Sequence, residues 1–322
     1  MQPVSFARKG RPPGLTESLQ CAAVPGELRV DPLSGRQVVV APGRARRPGV
    51  GVPVIEDATP AELESCPFCE GREDRTPPET LSLPPREPAD SPGWRVRVVP
   101  NLYPAFERQE VVIHSTEHKR SFAELTDDEV GLVAEAWSAR AATARAEGFG
   151  YLHALVNEGR AAGASLPHSH SQLVWLRDPP PAVVAERGLG DKELALLREL
   201  HAGPDSSELE AARAEELLAI CPPASRVPYE VLILNGSLRE ADAFASEYLP
   251  TALLLLREVV RRLRAVEGLV PWNAWLHNGD NSWHIELVPR LTIFAGIELG
   301  AGIFVNTLAP EDAARALREA PI

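Results

Sequence analysis

Cysteine is scarce in this chain, methionine occurs once, and aromatic residues make up only 6% of its 322 residues. The four cysteines are Cys21, Cys66, Cys69 and Cys221, too few and too scattered for a disulfide framework. Positive charge is also in deficit. A formal net charge of −12 argues against broad contact with a nucleic-acid backbone or an anionic membrane surface. Long apolar runs are missing: stretches such as Ala252 to Leu256 are far too short to span a bilayer. The first residues, Met1 to Gly14, hold Arg8, Lys9 and Arg11 but no apolar segment, so no secretory signal is expected and the cytoplasm is the default location. In that reducing setting the close pair Cys66 and Cys69 reads as half of a metal site.

What remains is ordinary globular material, 44% apolar and 24% charged, enough for one large domain or two modest ones. Residues 1–24 read as a flexible leader, 25–185 as an N-terminal domain and 186–322 as a C-terminal one. The proline- and acid-rich stretch from Glu73 to Gly93 reads as a loop. Two similar passages follow. In the first, a strand Glu110–Ile113 precedes a helix with Thr126 as N-cap and Glu129 completing a capping box. Val130, Val133 and Trp137 recur there at helical spacing. Strands Tyr151–Asn157 and His168–Leu176 come next. In the second passage a strand Glu230–Ile233 leads to a helix from about Tyr248 to Val266. Strands Trp272–Asn278 and Trp283–Arg290 end it. Gln172-Leu-Val174 even matches Glu286-Leu-Val288, so a duplicated strand–helix–strand–strand unit is predicted. Asp191–Ala202 and Ser207–Ile220 read as two connecting helices. Antiparallel sheets with helices on one face, an α+β arrangement, follow from this pattern.

The segment Asn157-Glu-Gly-Arg-Ala-Ala-Gly-Ala-Ser-Leu-Pro-His168-Ser-His170-Ser-Gln172 carries the most chemistry. Alternate side chains of a strand share a face, which places His168, His170 and Gln172 together. Gly159, Gly163 and Ser165 precede them in a loop whose backbone N–H groups suit close approach to phosphate oxygens. A neutral imidazole is available near pH 7 as a nucleophile toward phosphorus, and a hydrogen bond to its second nitrogen fixes the tautomer. A lone histidine is more often a satisfied structural group. Two at alternate positions behind a Gly/Ser loop point instead to a site. Arg44, Arg46 and Arg47 form the densest basic cluster before mid-chain, as a diphosphate would require in so acidic a chain.

These residues resemble the galactose-1-phosphate uridylyltransferase family, a branch of the histidine-triad superfamily. The likeness runs from about Glu27 to Glu319. It is carried by Arg44-Ala-Arg-Arg-Pro48, Cys66-Pro-Phe-Cys69, Val99-Pro-Asn-Leu-Tyr-Pro-Ala105, the histidine strand, and Trp283-His-Ile-Glu-Leu-Val-Pro-Arg290. The resemblance implies two histidine-triad-like units. It implies a ping-pong nucleotidyltransferase acting on a nucleotide sugar and a sugar phosphate through a covalent nucleotidyl-histidine. His170 matches the histidine that accepts the nucleotidyl group, and Gln172 the residue that holds a non-bridging oxygen. Ser165 and Asn157 match side chains around the α- and β-phosphates, Arg44 and Arg47 the arginines near them, and Asn101 a nucleoside contact. His118 and His168 complete, with Cys66 and Cys69, a closed structural zinc site. Glu298 matches a residue that reads the hexose. Pairing as a homodimer is also implied, although no residue pattern fixes an oligomeric state.

Departures from the family pattern bear on substrate. Phe304 stands where a hexose-reading glutamine is expected, and Leu102 replaces a polar residue beside Asn101. The wording of the active strand and the glycine-rich segment Ala295–Asn306 also resemble ADP-glucose phosphorylases. Hexose-1-phosphate uridylyltransferase is the first expectation. An ADP-glucose or dinucleoside polyphosphate phosphorylase is the second, and a zinc-stabilised nucleotide-binding protein without turnover is a distant third. His277, His284 and Glu286, with Glu186, mark the place of a second metal or a purely structural cluster. His114, His153 and His201 lack a partner pattern and read as structural.

Overall fold

A computed structural model describes residues 26–46, 55, 57–204, 206–235, 241–279 and 282–322. The elements in chain order are β1 (Glu27–Val30), β2 (Gln37–Val40), α1 (Pro60–Ser65), β3 (Leu81–Leu83), β4 (Val96–Pro100), β5 (Arg108–Ile113), α2 (Asp127–Ala146), β6 (Tyr151–Glu158), β7 (His170–Leu176), α3 (Pro181–Arg187), α4 (Asp191–Ala202), α5 (Ser206–Leu209), β8 (Glu210–Ala214), β9 (Leu217–Ile220), β10 (Val231–Asn235), α6 (Leu249–Glu267), β11 (Trp272–Asn278), β12 (Trp283–Pro289), α7 (Gly296–Ala301), β13 (Ile303–Asn306) and α8 (Pro310–Arg318). Among the described residues no helix is long and apolar enough to cross a membrane.

Ten strands form one sheet in the order β3-β4-β5-β7-β6-β11-β12-β10-β9-β8, and β1, β2 and β13 form a second, small one. The order β5-β7-β6 is mirrored by β10-β12-β11, so the repeated passages fold alike. They meet where β6 pairs antiparallel with β11. Both crossover helices pack on the same face of this sheet. The Thr126–Glu129 capping box opens α2, which buries Val130, Val133 and Trp137. On α6, Leu253, Leu256, Val259 and Leu263 are buried, joining Leu173, Trp175, Ala274, Ile285 and Val231 of the strands in a single core. Burial of each such side chain contributes about 1.5–3 kcal/mol. Strand alternation then leaves Gln172, Asn157, Trp275, His277, His284 and Glu286 on the opposite face. The architecture is α+β: α2 and α6 cover one face, while on the histidine-bearing face α4 packs Leu197 and Leu200 against Leu232 and Leu234 and α3 brings Glu186 to His277.

Three expectations are corrected. Ser207–Ile220 is not one helix: after the single turn of α5 the chain makes the hairpin β8–β9, turning at Glu215 with φ 51°. Its alanine, glutamate and leucine content favours helix locally. Pairing β9 with β10 buries all four residues Leu217–Ile220, and that burial overrides the weak propensity. The 73–93 segment contains β3, paired with β4. Strand β7 begins at His170 rather than His168, because Ser169 is diverted to bond the Lys119 carbonyl at 2.7 Å. The leader assigned to residues 1–24 lies outside the described residues.

Candidate active site and metal centre

Thr59 caps α1 by accepting the Glu62 N–H, and the helix ends at Cys66, which starts the Cys66–Cys69 knuckle. Cys66 Sγ lies 3.5 Å from His168 Nδ1; Cys69 Sγ lies 3.5 Å from His118 Nδ1 and 3.8 Å from His168 Nδ1. The ligand atoms of all four residues fall within 4.8 Å of one another. A tetrahedron with bonds of ~2.0–2.3 Å has edges of about 3.6 Å, so this quartet fits a four-coordinate ion. The histidine tautomers fit as well. His118 donates its Nε2–H to Glu62 Oε1 at 2.8 Å and His168 donates its own to the Ser115 carbonyl at 2.9 Å, leaving both Nδ1 lone pairs toward the sulfurs. Burial pushes the Cys66 thiol up to about 11, so a thiolate there calls for a neighbouring cation.

Two residues past this ligand, His170 opens β7. Its Nδ1–H donates to the His168 carbonyl at 2.7 Å, so Nε2 carries the lone pair. The ring meets Phe68 edge-on at 5.5 Å and is 6% exposed. Burial holds its pKa below the ordinary imidazole value, the carbonyl contact opposing this in part, so the neutral form is favoured. From the helix side, His114 lies 3.0 Å from the Oγ atoms of both Ser169 and Ser171, and Trp137 Nε1–H donates to Ser171 Oγ at 2.9 Å. The residues flanking His170 are thereby locked. Register Val156–Ser171 brings Asn157 to the level of His170, and Asn273 Nδ2 donates to both Asn157 Oδ1 and the Ala162 carbonyl at 2.7 Å. Gln172 Oε1 accepts from Gln109 Nε2 at 2.7 Å, which orients its amide.

The loop between β6 and β7 walls a cleft of about 810 Å³ lined by Ile55, Arg120, Gly159, Arg160, Ser165 and Pro271, among others. Gly159 has φ 82°, and a Cβ there would sit 2.9 Å from Pro271 Cβ, so only glycine allows this backbone to pass. Behind it Glu158 is buried, accepting the Ser121 hydroxyl at 2.7 Å and the Phe122 N–H at 2.8 Å. Burial raises its pKa from 4.5 to about 7. A carboxyl whose folded pKa is raised contributes most when protonated; its contribution falls as pH climbs from the unfolded value through the folded one. Between pH 5 and 8 the stability of the Glu158→Gln variant relative to wild type should therefore rise by up to about 3 kcal/mol. Denaturation curves at the two pH values check this. A constant difference between the proteins would show Glu158 already ionised.

On β11 and β12, the repeat's counterpart of β6 and β7, a second cluster forms from Glu186, His277, His284 and Glu286, all buried and with ligand atoms within 4.8 Å. His284 occupies the position of His170, and Glu286 that of Gln172. His277 Nδ1 lies 3.0 Å from both Glu186 oxygens. Glu286 already pairs with Arg226, which also bonds Glu230. Among the described residues His284 Nε2 is buried with no hydrogen-bond partner, 4.0 Å from Glu186 and Glu286. These residues could hold a second ion.

Residues 104–180 match the family described as galactose-1-phosphate uridyl transferase, N-terminal domain. Across 91% of this chain and 92% of that protein, the sequence is 28% identical to an ADP-glucose phosphorylase of Arabidopsis thaliana. The chain is similar to a galactose-1-phosphate uridylyltransferase as well. A galactose-1-phosphate uridylyltransferase of Thermotoga maritima is 25% identical over 92% of this chain and 99% of that protein. A crystal structure of an Arabidopsis thaliana ADP-glucose phosphorylase with bound ADP-glucose superposes with a TM-score of 0.78 at 26% identity, covering 92% of this chain and 99% of that one.

The predicted residues divide into three groups. Cys66, Cys69, His118 and His168 converge, as do His170, Gln172 and Asn157, and Ser165 lines the cleft. Asn101 is tied to the same region: its N–H donates to the Gln109 carbonyl at 2.8 Å, and Gln109 in turn bonds Gln172. Arg44 is exposed in a 3-10 turn and does not line the cleft; Arg47 lies outside the described residues. Glu298 closes the start of its own helix α7 by accepting the Ala295 N–H at 2.8 Å and does not line the cleft either. The cations that do line it, Arg120 and Arg160, were not singled out, nor were Gln109, His114, Glu62 and Asn273 as supports. Arg160 sat inside the quoted motif and Arg120 two residues past His118, so adjacency was the available signal.

Proposed function

We propose that this protein transfers the nucleoside monophosphate of a nucleotide sugar through a covalent nucleotidyl-His170, with ADP-glucose as donor and phosphate as acceptor. The observation that carries the covalent step is the His170 tautomer. With Nδ1–H spent on the His168 carbonyl, the Nε2 lone pair attacks the α-phosphorus. The bond from that phosphorus to the bridging oxygen breaks, and glucose 1-phosphate leaves with the electron pair. A phosphate oxygen then attacks the adduct, releasing ADP and restoring His170. Gln172, Ser165 and the cleft arginines neutralise the non-bridging oxygens, work that positioned donors do without reorganisation.

Zinc is the ion we assign to Cys66, Cys69, His118 and His168. Four protein ligands close its shell, so when bound it cross-links the Cys66–Cys69 knuckle to the base of β7. His168 is held as a ligand, and its carbonyl holds His170.

Adenine is favoured over uracil by the higher identity to the ADP-glucose phosphorylase. This ranks second the hexose-1-phosphate uridylyltransferase reading that stood first from the sequence, which the full-length likeness to the Thermotoga maritima enzyme keeps in view. Intact-mass analysis after brief incubation with ADP-glucose should reveal a protein one AMP heavier, and UDP-glucose should label far less. A UMP adduct would reverse the ranking, and no adduct with either donor would refute the covalent mechanism.

A further inference from the structure

Glu62, one turn before Cys66 on α1, serves two cationic or donating groups with a single oxygen. Its Oε1 accepts the His118 Nε2–H at 2.8 Å and stands 2.8 Å from Arg120 Nε in an ion pair. His118 turns its other nitrogen toward Cys69, in the metal quartet. Arg120 lines the cleft with Arg160 and Ser165. All three groups are largely shielded, with side chains 7%, 18% and 19% exposed for His118, Glu62 and Arg120. The next cation along, Lys119, is turned away and clamped by Glu129 at 2.6 Å. A chain of contacts thus runs from the metal ligands to the wall of the cleft.

We infer that Arg120 binds the phosphate beyond the one transferred, and that Glu62 is a positioning residue that fixes Arg120 relative to the metal centre. This rests on the proposed reaction. In a ping-pong exchange at one site, the leaving phosphate of the sugar 1-phosphate and the incoming phosphate occupy the same place. Arg120 shares the cleft with Arg160, Ser165 and Pro167 of the loop that leads into the His170 strand, so the cleft lies beside the reacting phosphorus. A guanidinium anchored by a carboxylate at Nε has its plane fixed, and a planar donor fork suits phosphate oxygens. The ion's structural role and the site's selectivity for a doubly charged phosphate are then linked by one carboxylate.

Calorimetric titration of the full-length, zinc-loaded protein with inorganic phosphate and with glucose 1-phosphate tests this without turnover. Arg120→Met should weaken both ligands roughly ten- to a hundredfold, the worth of a charge-assisted contact. Glu62→Gln should weaken both by about three- to tenfold at saturating zinc, with metal content per chain measured in the same samples as equal to wild type. Unchanged affinity in Arg120→Met overturns the phosphate assignment. Unchanged affinity in zinc-saturated Glu62→Gln overturns the relay, since Glu62 would then act only by retaining metal. Adduct formation by the wild type, read separately by mass, distinguishes either failure from failure of the covalent mechanism.

Discussion

Replacing His170 with alanine should abolish the nucleotidyl adduct and lower turnover by roughly 10⁴-fold or more, the usual cost of removing a covalent nucleophile. No neighbouring group can substitute. His168 is spent on the metal quartet and the Ser115 carbonyl, and His114 is sealed between two serines with burial holding it neutral. The variant should keep its fold. His170 projects from the face opposite α2 and α6, while the core face of β7, with Leu173 and Trp175, is untouched. Far-ultraviolet circular dichroism and an unchanged metal content would document that, beside a mass spectrum lacking the adduct. A labelled His170→Ala protein would place the nucleophile elsewhere.

Cys66→Ser should produce the largest loss of stability, on the order of 3–5 kcal/mol, with metal content falling well below that of the wild type. A melting-point drop of roughly 4–7 °C is expected for a chain of this size. A serine hydroxyl is a poor ligand, and the three remaining ligand groups would be left crowded within 4.8 Å of one another in a buried pocket. The consequence should also reach the chemistry. His168 supplies both a metal-facing nitrogen and the carbonyl that orients His170, so adduct formation should slow even at temperatures where the variant is fully folded. Equal metal content and an equal melting point would remove the structural role assigned to the quartet.

Much of the architecture was readable because its signals are local. The Thr126–Glu129 box, the helical spacing along α6, and the alternation through Trp272–Asn278 and Trp283–Pro289 are set within one element's own residues. Where two influences compete, local reading fails. Leu217–Ile220 and its alanine-rich approach suit a helix on propensity, and only the open edge of β10 makes the strand preferable. The same holds at the site. The proposed nucleophile and the four candidate metal ligands stand out by type and spacing, and likeness to a family sharpens them. Arg44 stands in an exposed 3-10 turn and Glu298 bonds the start of its own helix, both outside the cleft lining.

From its own order of residues, then, the chain specifies its repeated unit, the two crossover helices of that repeat, and a histidine strand preceded by a glycine loop. Those are properties of neighbours along the backbone. Folding alone decides that β6 and β11 join the halves into one sheet, that Glu62 stands between His118 and Arg120, and that Gln109 braces Gln172. Each of these contacts links side chains tens of residues apart. Their meeting depends on strand register and on which face the helices cover, quantities that no short stretch of sequence contains.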